Sequence, residues 1–224
     1  MPYYDGRIVP AHGNSEATVF LINEAPGPCE AYYLIPSVGD QGGNLYRALQ
    51  RAGIVWVQQI ENLEKFKWPK LIQDQYKHPE EMKQIFELRD QVLAVRAKFI
   101  KCTNAFNQWP RSSYEACDTV DPAVADVLSS QNIDRLASEV PEQHKVILVC
   151  GAFAWLSCLG YPLSSPAMRE HSRLSKDELQ IINKRFKSDF SSGWYMGHTR
   201  RWSLDTEKTS RVLKEIAQNA GWPC

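Results

Sequence analysis

The sequence predicts an α/β protein: a single-domain α/β/α sandwich around a central, mainly parallel four-stranded sheet. Three observations predict it. Four short apolar runs rich in β-formers recur along the chain, at 17–22 (ATVFLI), 98–106 (KFIKCTNAF), 145–150 (KVILVC) and 193–198 (GWYMGH). Segments with helical spacing of apolar residues separate them, and strands alternating with helices pair in parallel with both faces covered. The strand ends carry Glu24, Asn104, Gly151 and His198, and the carboxyl ends of such a sheet are where ligands bind.

Each element follows from local pattern. The first run ends at Asn23-Glu24-Ala25-Pro26-Gly27, a turn by its Pro-Gly. Residues 41–52 place Leu45, Ala48, Leu49 and Ala52 at helical spacing, with Gly53 as the stop. Residues 55–78, rich in Trp, Lys and Gln, have no clear period and read as an irregular insertion within one domain spanning 1–224. A Pro and two Glu open a long helix over 79–97. A loop is expected at 107–120, then a helix over 121–138 with Asp121 as N-cap and Pro122 at its first position. Gly151 leads into the small-residue helix AFAWLSCLG; Ser175 caps an amphipathic helix over 175–187; the last helix spans 206–219.

Composition excludes several classes. With 43% apolar and 23% charged residues the chain is an ordinary globular one, and 224 residues suffice to bury roughly 70% of the unfolded surface. No apolar run reaches membrane-spanning length, and MPYYDGRIVP lacks a signal-peptide pattern. The expectation is an intracellular protein, cytoplasmic or nuclear, that is monomeric and does not engage a membrane. Lys+Arg and Asp+Glu are equal at 26 each, which argues against nonspecific coating of nucleic acid. A local basic face remains open: Ser165–Cys224 holds eleven Lys/Arg against seven Asp/Glu. The six cysteines form no CxxC pair, which removes zinc-ribbon and thioredoxin readings and predicts reduced thiols.

The segment from Asn23 to Ile54 carries Glu24-Ala25-Pro26-Gly27, Glu30, Pro36, Val38-Gly39, Gly42, Leu45, Leu49 and Gly53-Ile54. This set resembles, without a gap, the first motif of the iron–sulfur branch of the uracil-DNA glycosylase superfamily, roughly G-E-A-P-G-x-x-E followed by P-F-V-G-x-x-G and a helix. KFIKCTNAFNQWP and KVILVCGAFAWLSCLG resemble, in order, that family's strand with a base-reading Asn and its strand-Gly-helix. His198 matches the His that opens the second catalytic motif, usually His-Pro-Ser. The chain departs from the pattern at Asn23 (Gly in the family), at Ser37 (the Phe that stacks on the flipped base) and at Thr199-Arg200-Arg201 (Pro-Ser and the residue after it). The N-terminal cysteine pair is missing. Cys102 and Cys117 are spaced like the last two cluster cysteines, but two thiolates do not hold a four-thiolate cluster, so no cofactor is expected.

The resemblance implies a monofunctional DNA glycosylase that hydrolyses the N-glycosidic bond of uracil or a related pyrimidine. Such an enzyme holds the base out of the stack and stabilises the departing anion with preorganised donors. Glu24, His198 and Asn104 are the implied catalytic set. His198 donates to a pyrimidine carbonyl oxygen; Asn104 offers a donor and an acceptor to O4 and N3–H of uracil; Glu24 lies beside sugar and base. Asn107 competes with Asn104 under another alignment. Ala25, Pro26, Gly27 and Ser37 line the base site, with Tyr33 or Tyr32 as replacement stacking faces and Trp109 as a further one. Thr199, Arg200 and Arg201 contact DNA, single- or double-stranded. His198 and Asn104 are expected at exposed strand ends. Bland counterparts stand beside each role: a satisfied strand-end His, a turn Asn, a solvated turn carboxylate, Arg200 and Arg201 paired with Asp205 and Glu207. Two other readings share the fold: a nucleic-acid or nucleobase binding protein without catalysis, and an enzyme acting on a different nucleotide bond.

Overall fold

The computed structural model describes residues 1–58, 60, 79–116, 118–164, 171–198, 202 and 206–223. Its centre is a five-stranded sheet. β2 (Val19–Asn23) lies between β3 (Ile100–Asn104) and β5 (Val146–Val149), and β5 is followed by β7 (Ser192–Tyr195). These four strands are parallel, in full register from Val19↔Ile100 to Asn23↔Asn104. The expected four strands are all present; the fifth, β6 (Ser172–Arg173), is a two-residue antiparallel edge on β7. Two residues are too few to leave a readable alternation, which is why the pattern misses it.

Period-two alternation sorts the side chains into two layers. Val19 and Leu21 of β2, Ile100 and Cys102 of β3, and Val146 and Leu148 of β5 face one core. α2 (Gly39–Arg51), α3 (Val55–Gln58), α4 (Pro79–Phe99) and α9 (Thr206–Ala220) cover it with Leu45, Leu49, Trp56, Leu93, Leu213 and Ile216. Phe20, Ile22, Ile147 and Val149 face the other core. There α6 (Ser130–Glu139), α7 (Ala152–Leu159) and α8 (Lys176–Phe186) contribute Leu136, Trp155, Leu159, Ile182 and Phe186. The molecule is an α/β protein with helices on both sheet faces. Among the described residues no helix is long and apolar enough to cross a membrane.

Several local expectations are corrected. The helix expected over 121–138 is two helices, α5 (Val124–Leu128) and α6. Asp121 and Pro122 do not cap them: α5 follows Ala123, and Ser129, extended at ψ 143°, ends it and caps α6 through Asn132 N–H. Buried Asn132 then donates to Ala105 and Val127 carbonyls, which ties the break to the end of β3. The loop at 107–120 contains β4 (Gln108–Arg111), paired antiparallel with β1 (Tyr3–Ile8) in a separate ribbon. The turn after Gly27 continues as α1 (Pro28–Tyr33). The insertion begins with α3, whose Trp56 and Val57 are buried; residues 61–78 lie outside the described set. The Ser175 cap of α8 holds, with Glu178 completing a reciprocal capping box.

Candidate functional site

The carboxyl ends of β2, β3 and β7 bring three expected residues to one end of the sheet. Glu24 directly follows β2 and is anchored rather than solvated. Its Oε1 accepts the N–H groups of Ala152 at 2.5 Å and Phe153 at 3.3 Å, at the start of α7. A helix start has unpaired N–H groups and positive dipole character, so it suits a carboxylate. Gly151 makes the approach possible. Its φ is +105°, and a Cβ there would collide with the Glu24 carboxylate.

His198 lies beyond β7, and its Nε2 is 3.6 Å from Glu24 Oε2; both side chains are about one quarter exposed. The geometry suits an ion pair when the imidazole carries a proton. The two side chains come from the segments after β2 and β7, with β5 between those strands.

A buried polar network joins the turn after β2 at Gly27. Glu30 of α1 accepts Gly27 N–H at 2.8 Å through one oxygen and Ser37 N–H at 2.7 Å through the other. Burial pushes its carboxyl up to about 7, against the pull of these two N–H groups, the Asn104 amide and the Arg96 guanidinium. Arg96 of α4 is fully buried. It donates to the Pro36 and Ser37 carbonyls at 3.1 and 3.0 Å and to His12 Nδ1 at 3.0 Å. Burial, then the Arg96 charge, holds His12 down at about 4, so its ring accepts from Arg96. The backbone of His12 bridges Cys102 in both directions at 2.9 Å, covering the edge of β3.

Ser37 is buried with φ +56°, a left-handed conformation that a non-glycine residue holds only when surrounding bonds over-determine it. Its hydroxyl accepts Asn23 Nδ2 at 2.7 Å. Ser37, expected to line a base site, is thus buried with its side chain bonded to Asn23.

Asn104 ends β3 in register with Asn23. The exposed strand end expected for it is corrected too, because it is 0% exposed. Among the described residues neither Nδ2 nor Oδ1 makes a well-formed hydrogen bond. The amide lies close enough to Glu30 to lower that carboxyl's pKa, yet outside good hydrogen-bond geometry. A buried carboxamide left without a partner costs about 1–3 kcal/mol.

The remaining expected residues divide. Ala25 and Pro26 are buried in the turn, whose Asn23 and Glu24 carbonyls accept Ala105 and Phe106 N–H at 2.7 and 3.0 Å. Gly27 is the N-cap of α1. Tyr33 packs on the first core with Tyr32 edge-on at 4.9 Å and Arg89 over its ring. Asn107 lies past β3 and its carbonyl accepts Val9 N–H. Trp109 is buried in the ribbon, donating to Thr119 and covered by Arg111 and Arg7. Thr199, Arg200, Arg201 and Asp205 lie outside the described residues, as does Cys117. Trp202 is fully buried and donates to the Met196 carbonyl at 3.0 Å, which ties it to the segment carrying His198.

An iron–sulfur cluster does not fit these residues. Cys102 faces the first core at 0% exposure, and burial raises its thiol; it is not placed to ligate an outer cluster. Arg96 is not legible in the sequence, because a lone Arg in a long helix gives no signal of burial. Glu30 is visible there only as one letter of the motif. Compared with protein-family models and with curated proteins, the chain matches none.

Proposed function

We propose that the protein is a monofunctional DNA glycosylase that hydrolyses the N-glycosidic bond of uracil or a related modified pyrimidine and leaves an abasic site. The observation that supports this reading is the placement of Glu24, His198 and Asn104 at one end of the sheet: Asn104 ends β3, Glu24 follows β2, and His198, beyond β7, lies 3.6 Å from Glu24. As the bond from C1′ breaks, positive charge grows on the sugar and negative charge on the base. Glu24, pinned at the start of α7, places a carboxylate beside the sugar. His198 donates to a base carbonyl oxygen, and Asn104 pairs with the base edge. Preorganised donors of this kind are worth about 10²–10³ each in rate. The partner in this reading is DNA, gripped by the basic end of the chain, and the enzyme works as a monomer inside the cell.

The test is abasic-site formation on a single-stranded oligonucleotide carrying one uracil, followed by a panel of modified bases. A second reading, a nucleobase-binding protein without catalysis, is favoured by one observation: the Ser37 side chain is hydrogen-bonded to Asn23 and offers no stacking face. Tight binding of the same oligonucleotide with no abasic product over the whole panel would select it.

A further inference from the structure

Leu34 ends α1 and carries two local costs. Its backbone is left-handed, at φ 55° and ψ 36°, with its N–H on the Glu30 carbonyl. Glycine or asparagine is usual at such a helix end, because a Cβ there is crowded. The Leu34 side chain is 45% exposed, whereas its neighbours Tyr33 and Ile35 pack on the first core. A glycine would remove the strain and the exposed apolar surface together. The loop that follows is nonetheless fixed on its buried side. Ser37 N–H donates to Glu30, Arg96 donates to the Pro36 and Ser37 carbonyls, and Asn23 donates to Ser37 Oγ. Pro36, Ser37 and Val38 are buried.

This apolar tip belongs to the end of the sheet that carries Glu24. α1 starts just after the Glu24 turn, and its six residues, at a rise of about 1.5 Å each, set Leu34 about 9 Å further on. Half-buried Tyr32 stands edge-on to Tyr33 at 4.9 Å, and the Arg89 guanidinium lies 5.5 Å from the centre of the Tyr33 ring. An apolar tip among aromatic rings and a planar cation matches nucleobases, whose faces are apolar and stack on both groups.

We propose that Leu34 is a wedge that enters between neighbouring bases of a DNA strand lying across this end of the sheet, beside the nucleotide whose sugar faces Glu24. The place of the strand rests on the glycosylase reading, and the contact is separate from the basic end of the chain. Apolar side chains that enter a base step unstack it and bend the duplex. Leu has no polar atom to hydrate, so its passage from water to a base step is favourable. A wedge acts only on a backbone that does not give way, and the bonds to Glu30, Arg96 and Asn23 supply that support. A single strand has little stacking to break, so the wedge matters most for duplex DNA.

The test uses the full chain and a duplex carrying one uracil with 2-aminopurine beside it, a base whose fluorescence rises when it unstacks; the same strand alone is the comparison. Leu34→Gly and Leu34→Asn both tolerate the left-handed backbone and remove the wedge, while Leu34→Met keeps an apolar tip. Urea midpoints of the first two variants are expected at or above that of wild type. Wild type and Leu34→Met raise the fluorescence of the duplex. Leu34→Gly and Leu34→Asn lose that rise and bind the duplex about tenfold more weakly, the effect of one buried apolar side chain, with a much smaller change on the single strand. Wild-type fluorescence and affinity in Leu34→Gly overturn the wedge, as do equal losses on single and double strands or a wild type that does not bind the duplex. Lower urea midpoints in both variants would make Leu34 a packing residue and overturn it as well. A wild-type dimer in sedimentation that Leu34→Asn dissociates assigns the tip to a second copy of the chain, against the proposal. A Leu34-dependent fluorescence rise without excision of any base leaves the wedge and removes the glycosylase reading. Excision of uracil by a Leu34→Gly protein with full duplex binding removes the wedge and leaves that reading.

Discussion

Asn23 and Ser37 are joined: Nδ2 of Asn23 donates to Ser37 Oγ at 2.7 Å, with both residues buried. These are the two positions at which the first motif departs from the pattern it resembles. The departures form one hydrogen bond, so they are one change rather than two. Each single Ala substitution leaves the other polar group buried without its partner and is expected to cost about 1–3 kcal/mol. The double substitution is expected to cost less than the sum, with a coupling of about 1 kcal/mol. A urea-denaturation double-mutant cycle measures this, and strict additivity would show that the two side chains act independently.

Gly151 is the second point of sensitivity. Its φ of +105° and the Glu24 carboxylate against its Cα leave no space for a methyl group. Gly151→Ala is expected to lose about 1–3 kcal/mol from backbone strain alone and to push Glu24 off the start of α7. Excision should fall in step with Glu24→Gln. An active, fully stable Gly151→Ala protein would refute the seat assigned to Glu24.

Stability should respond to pH through Glu30 and His12 in opposite directions. The Glu30 carboxyl is raised from 4.5 to about 7. The folded state therefore binds its proton more tightly than the unfolded state does. Its stabilising contribution is complete below the unfolded value and is lost as pH rises through about 7, a change of order 3 kcal/mol. His12 is lowered from 6.5 to about 4. The unfolded state then binds the extra proton, so this contribution grows as pH rises between those values; half-burial makes it the smaller of the two. Wild type should show a shallow net slope. Glu30→Gln should become more stable with rising pH over that window, and His12→Gln less stable. Chemical denaturation at several pH values decides, and parallel curves for all three proteins would contradict the assignment.

His198→Ala and Asn104→Ala are each expected to lower single-turnover excision by about 10²–10³. Their effects on folding should be small for different reasons. His198 is partly exposed. Asn104 is buried, but its amide makes no well-formed bond among the described residues, so removing it relieves a desolvation cost that offsets the lost packing. A stability loss above about 2 kcal/mol in Asn104→Ala would mark the amide as structural.

Arg200→Ala with Arg201→Ala should weaken DNA binding and lower the salt slope by about one to two units, because phosphate contacts release counterions. The chemical step at saturating DNA should suffer less than in His198→Ala, since phosphate contacts position the duplex. Wild-type affinity across a salt titration would instead assign the two arginines to local ion pairs, worth under about 1 kcal/mol.

The sequence by itself determined the α/β class, the four parallel strands and the polar residues at their ends. Apolar runs of strand length, helical spacing, Gly53 and the Ser175 cap are local signals, and local geometry obeys them. It also brought Glu24, Asn104 and His198 forward as strand-end residues. Only the tertiary structure decided what surrounds them. Gly151 seats Glu24 on a helix that starts 128 positions later, and Arg96 reaches the Ser37 carbonyl across 59 positions. The Asn23–Ser37 bond joins two buried side chains 14 positions apart. The ribbon of β1 and β4 and the break at Ser129 likewise depend on distant partners. Burial and hydrogen-bond partnership are properties of elements packed together, and no periodicity along one segment encodes which distant side chain will fill its unpaired donors.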